Sequence, residues 1–102
     1  MNQILIEDRV IGANAPTFII AEGADAHLGD LTVAMEMAKQ AKLANVDAIK
    51  FQHHLPDEEM LPDTPMSDNM SEPLYDFLLK NALKLEQHID LKNYCDEIGI
   101  RY

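Results

Sequence analysis

Phe18-Ile19-Ile20-Ala21-Glu22 and Val46-Asp47-Ala48-Ile49-Lys50-Phe51-Gln52 decide the fold. Each is a short apolar run that closes on polar or charged residues a core strand does not use. The runs are continuous rather than alternating, as in strands buried on both faces of a parallel sheet. Asp30 is a suitable N-cap for a helix between them, in which Val33 or Ala34, Met37, Ala38, Ala41 and Ala44 recur at helical spacing. Small alanines on that face let a helix lie close on a sheet. Asn45 can take the left-handed conformation that ends it. Strand, helix, strand in this order makes a right-handed crossover, so the two strands are parallel.

The rest of the chain is read outward from this unit. Ile4-Leu5-Ile6 and Val10-Ile11, split by Glu7-Asp8-Arg9, predict a hairpin within residues 1–15. Residues 16–52 form the β-α-β unit, with the first strand over 17–22, a loop over 23–29 and the second strand over 46–52. Residues 53–71 carry Pro56, Pro62 and Pro65 among many acids. This long irregular stretch leaves from the strand end that bears Lys50 and Gln52. It reads either as a lid or substrate-contacting loop, or as a solvated insertion. Residues 72–102 hold a helix capped by Ser71, a second helix over about 86–98 stopped by Gly99, and the start of a third strand at Ile100-Arg101-Tyr102. The fold class is α/β: parallel β-α units preceded by a short β-hairpin.

Composition bounds the function. Eighteen acidic against eight basic side chains leave a net charge of −10 over 102 residues, with 47% hydrophobic content. Such a surface repels nucleic acid and anionic lipid. The single cysteine, Cys95, cannot form an internal disulfide, and it falls on the helical stripe Leu91, Tyr94, Cys95, Ile98 as a core thiol. No signal-peptide pattern opens the sequence and no apolar run reaches spanning length, so a cytoplasmic location is expected.

Strand parity places the candidate site. Glu22 shares a face with Ile20 and Phe18, and Lys50 shares one with Ala48 and Gln52. In a curled sheet these polar ends open at one mouth, where α/β barrels keep their chemistry. Lys50 offers a compact positive charge for phosphate or carboxylate. Glu22 accepts from hydroxyls or carries a proton, and Gln52 can donate and accept. A Glu–Lys pair that merely plugs the barrel end is the plainer alternative. His27, in the first β-α loop, is a further candidate ligand or acid–base group. His53-His54 makes a poor chelate, because adjacent strand residues point to opposite faces. Asp57-Glu58-Glu59 lacks the spacing of a calcium loop. His88 lies in a helix and carries no signal. No Gly-rich phosphate loop or nucleophile elbow is present.

The motifs Phe18-Ile19-Ile20-Ala21-Glu22, His27-Leu28-Gly29-Asp30 and Asp47-Ala48-Ile49-Lys50-Phe51-Gln52 resemble the amino-terminal part of the sialic acid synthase family. The family comprises the N-acetylneuraminate, legionaminate and pseudaminate synthases. His54 to Pro62 and Leu91 to Ile100 also look familial. The resemblance implies a TIM (β/α)8 barrel of about 250 residues, of which this chain supplies the truncated opening. It implies condensation of phosphoenolpyruvate with an N-acylated amino sugar such as N-acetylmannosamine, releasing phosphate. Lys50 would hold the phosphoenolpyruvate anion, Glu22 and Gln52 would orient the sugar, and His27 would help shape the sugar site. A divalent metal, typically manganese, would activate the aldehyde, its ligands lying outside this chain. A homodimer is implied, with a carboxy-terminal domain capping the neighbour's site. This chain alone is expected to be inactive. It departs from the family pattern at Gly23-Ala24-Asp25-Ala26, where Ile-Gly-x-Asn is usual, and at Leu28. Two other readings stay open. One is another phosphoenolpyruvate-dependent barrel acting on a sugar aldehyde. A sugar-phosphate acceptor would call for more cations than Arg9 and Arg101. The other is a non-catalytic acidic interaction module.

Overall fold

Two small sheets and four helices make up the computed structural model, which describes residues 2–102. The hairpin is present as β1 (Ile4–Ile6) paired antiparallel with β2 (Arg9–Ile11), Ile6 opposite Arg9. Glu7 takes the positive φ of 54° that its two-residue turn requires.

The β-α-β unit is present too, with shifted edges. β3 spans Ile20–Ala24 and α1 spans Leu31–Leu43, while β4 spans Ala48–Phe51. The two strands are parallel, in the register Ile20↔Ala48, Ala21↔Ile49, Glu22↔Lys50. The first strand therefore starts later than Thr17 and runs on through Glu22 to Ala24. A bulge at Gly23 lets it do so, since Ala24 pairs with Phe51 after the register slips. Gly23 is required there: a Cβ would lie 2.7 Å from the Phe51 ring and 3.2 Å from the Lys50 carbonyl oxygen.

Asp30 caps α1 as expected, its Oδ1 accepting from the Thr32 and Val33 N–H groups at 2.9 and 3.3 Å. Asn45 follows with φ 62°. The buried stripe is Ala34, Ala38 and Ala41, while Val33 and Ala44 stay exposed. The alanines meet Ile49 of β4 on one side and Leu91 and Cys95 on the other. Those last two belong to α4 (Leu85–Ile98), which Gly99 ends in the left-handed conformation, φ 82°. Cys95 is fully buried in this core.

Three expectations are corrected. The stretch after β4 is not wholly irregular: Pro56–Glu59 forms a one-turn helix, α2, with Pro at its first position. Ser71 does not cap the next helix. α3 spans Leu74–Asn81 with Pro73 at its N-cap, because proline's fixed φ of −57° and extended ψ of 143° hold the chain out of the helix until Leu74. β3 is not buried on both faces, since Ile20 is 51% exposed, as is Ile19 just before it. Among the described residues no other element packs over the inner face of the two-stranded sheet, and the radius of gyration of 16.3 Å exceeds the ~13 Å of a closed domain this long.

The carboxy-terminal expectation holds in outline. Arg101 pairs with Ala48 as an isolated parallel bridge, and the Ile49 N–H donates to the Arg101 carbonyl at 2.9 Å. Arg101 also binds Asp8 of the hairpin turn, while Arg9 binds Asp47 just before β4. Asp47 Oδ2 in turn accepts from the Ile19 N–H at 2.8 Å. Both guanidinium groups lie over the Phe18 ring, at 5.6 and 5.8 Å. The hairpin is thereby fastened across the end at which β3 and β4 begin.

Candidate active site

At the other end of β3 and β4, Glu22 and Lys50 sit side by side. Their register pairing brings Lys50 Nζ to 2.7 Å from Glu22 Oε2. Glu22 Oε1 accepts from the Ala24 N–H at 2.8 Å, a contact supplied by the bulge at Gly23. The hydrogen bond from Lys50 and then that from Ala24 hold the Glu22 carboxyl below its ordinary range. Glu22 is thus an ionised acceptor beside an ammonium group. Both side chains remain open to solvent, Lys50 at 61% and Glu22 at 46% exposure. Below them a cavity of about 220 Å³ runs along the inner sheet face, lined by Phe18, Ile20, Ala48 and Lys50. The parity argument from sequence is met: these are alternate residues of two adjacent strands.

Gln52 leaves the end of β4, its N–H donating to the Ala24 carbonyl at 3.0 Å. Its side-chain Oε1 lies 2.9 Å from His54 Nε2. Gln52 therefore joins the strand-end group through its backbone, and a second histidine through its side chain.

His27 is placed elsewhere. It is 2% exposed, and its ring lies 5.9 Å from that of Phe51, which leaves β4 on the face opposite Lys50. Its Nδ1 accepts from the Gly29 N–H at 2.9 Å, while Nε2 has no partner among the described residues. Burial lowers its pKa, against a weaker opposing pull from Asp25. Among the described residues it makes no hydrogen bond to Glu22, Lys50 or Gln52.

Sequence reasoning passed over His88. It is 6% exposed, stacked at 4.3 Å on His53, with Nδ1 2.6 Å from the Tyr102 hydroxyl. The available signal was its place on the buried stripe of α4, three residues before Leu91 and seven before Cys95. His53 and His54 lie beyond the end of β4 and meet different partners, His88 for one and Glu59 and Gln52 for the other, so they do not chelate jointly. Among the described residues no group of three or more His, Cys, Asp or Glu side chains converges to hold a metal. No helix among them is long and apolar enough to cross a membrane.

Comparison with known proteins covers part of this geometry. The NeuB family model matches residues 37–102, which include Lys50 and Gln52. The chain belongs to the NeuB family. It is 35% identical, over 102 residues, to an uncharacterized protein of Methanocaldococcus jannaschii, covering 100% of this chain and 28% of that one. It is 31% identical over 97 residues to the N,N'-diacetyllegionaminic acid synthase of Legionella pneumophila, covering 89% and 27%. Among solved structures it superposes on the N-acetylneuraminic acid (sialic acid) synthetase of Leptospira borgpetersenii, in complex with citrate, with a TM-score of 0.79 and 27% identity. That match covers 97% of this chain and 32% of the other. The present chain of the NeuB family thus spans less than a third of the length of these relatives. It is a mixed α/β unit that aligns with part of a sialic acid synthase.

Proposed function

We propose that this chain forms the first part of a (β/α)8 barrel that condenses phosphoenolpyruvate with an N-acylated amino sugar, N-acetylmannosamine being the type substrate. The observation that carries the reading is the Glu22–Lys50 pair: two opposite charges, solvent-open, at the C-terminal ends of adjacent parallel strands. Membership of a family that includes named synthases of nine-carbon sugar acids supports it.

In this reading Lys50 exchanges its carboxylate partner for the phosphoenolpyruvate anion. The ammonium is a compact charge with three donors, suited to phosphate or carboxylate oxygens. Glu22, kept ionised by the Ala24 N–H, accepts a hydroxyl of the sugar and can take up a proton there. Gln52 supplies a neutral amide at the same rim. His27 shapes the sugar side indirectly, by fixing the loop between β3 and α1. C3 of the enolpyruvate attacks the sugar aldehyde, water adds at C2, and the C–O bond to phosphate breaks. The residues present do not assemble a ligand set for the manganese that the family resemblance implies, so no step is assigned to it here.

The test is phosphate release by the full encoded protein, with manganese, from phosphoenolpyruvate plus N-acetylmannosamine or its 2,4-diacetamido analogue. Product is identified by mass spectrometry. Release that depends on both substrates supports the reading, and the isolated 102-residue chain releases none. Full-length protein that leaves phosphoenolpyruvate untouched with either sugar overturns it.

A further inference from the structure

The segment after β4 carries a chain of polar side chains that the reaction as described does not use. His54 is at its centre. Its Nδ1 lies 2.9 Å from Glu59 Oε1 and 3.1 Å from Oε2. Its Nε2 lies 2.9 Å from Gln52 Oε1, and 3.7 Å from Asp25 Oδ2 in the loop after β3. The side chain is only 18% exposed.

A carboxylate can only accept, so Nδ1 facing Glu59 carries a proton. Glu59 is itself held in place: it is the last residue of α2, and its Oε2 accepts from the Leu55 N–H at 2.7 Å. The imidazole is thus pinned at one nitrogen by a fixed carboxylate; the other, unprotonated in the neutral ring, accepts from the Gln52 amide with that amide turned to present its NH2. An amide at the end of a flexible side chain has a broad, two-fold terminal torsion, and needs a partner to choose one orientation. Among the described residues that partner is His54. The same arrangement recurs where a carboxylate orients a histidine that in turn fixes a working group.

We propose that His54, held by Glu59, is a positioning residue that fixes the Gln52 amide and so sets recognition of the acceptor sugar. The inference rests on the functional reading above. It also decides between the two sequence readings of residues 53–71. The stretch is coupled to the site, because its one helix supplies Glu59 and is fastened to α3 by the hydrogen bond from the Tyr75 hydroxyl to Asp57.

Steady-state kinetics on the full encoded protein separate this from a merely structural role. With His54→Ala, the KM for the sugar rises about fivefold to tenfold, the worth of one lost neutral hydrogen bond, while the KM for phosphoenolpyruvate stays within about twofold. His54→Gln, whose amide can again meet Gln52, recovers most of the loss. Glu59→Gln raises the sugar KM in the same direction by less, and it carries the test if His54→Ala fails to fold. A sugar KM unchanged in Glu59→Gln and His54→Ala, or both KM values rising together, overturns the inference while leaving the reaction in place. So does His54→Gln performing no better than alanine. Wild-type protein that releases no phosphate overturns the functional reading, and this inference falls with it.

Discussion

Glu22 and Lys50 are register partners on adjacent parallel strands, and their charged atoms meet 2.7 Å apart where both strands end. An exposed ion pair of this kind adds little to stability, so the role proposed for Lys50 can be tested apart from folding. Lys50→Ala in the full encoded protein should raise the KM for phosphoenolpyruvate roughly 10- to 100-fold, the range for losing a hydrogen bond to a charged group. The midpoint of urea unfolding should barely move. Unaltered phosphoenolpyruvate kinetics would return the pair to a structural plug.

Gly23→Ala tests the bulge that gives Glu22 its second hydrogen bond. A methyl group there meets the Phe51 ring at 2.7 Å and backbone at 3.2 Å, so the strands must part or the ring must turn. Overpacking of this sort costs about 1–3 kcal/mol, read as a lower urea midpoint. Adding Phe51→Leu should restore part of the loss. A Gly23→Ala variant as stable as the parent would mean that the bulge yields freely.

Cys95 lies in the core between α1 and α4, and burial pushes its thiol up to about 11. The thiolate is the reactive form. The native protein at neutral pH should therefore resist an aromatic disulfide reagent, and the thiol should react at once on unfolding in guanidinium. Rapid labelling of the folded protein would contradict the packing described.

Acid should weaken the fold before the carboxylates begin to titrate. Burial lowers the pKa of both His27 and His88 from the ordinary 6.5, with His53 and His27 adding to the effect on His88. The unfolded chain then takes up protons that the folded one refuses. Stability falls as pH drops below about 6.5 and levels off once the folded histidines protonate. Urea midpoints measured from pH 7.5 to 5.5 should decline, and His88→Gln should flatten the decline. A midpoint indifferent to pH across that range would show that neither imidazole is shielded as described.

Periodicity and parity made the central unit legible. The Asp30 cap, the alanine stripe, Asn45 and the facing of Glu22 toward Lys50 all follow from local rules, and the structure has them. What escaped lies in contacts between segments distant in sequence. The bulge at Gly23 depends on where Phe51 leans, which no window around residue 23 reveals. His27 looked like a loop ligand because its loop leaves the right strand end. Only the fold shows its ring turned to the Phe51 side. His88 and His54 draw their meaning from partners on other elements, Tyr102 and His53 for one, Glu59 and Gln52 for the other. The expected burial of β3 failed for a different reason: a continuous apolar run reports the neighbours a strand is suited to, whether or not the same chain provides them.

The guanidinium clasp at the foot of the sheet has an electrical corollary. Asp47, just before β4, precedes Lys50 by three positions of extended chain, a separation of roughly 10 Å at 3.3 Å per residue. That exceeds the ~8 Å over which charges feel one another through physiological saline. Acids and bases around the hairpin can therefore drift over generations without retuning the ammonium group at the far rim, whatever that group is found to bind.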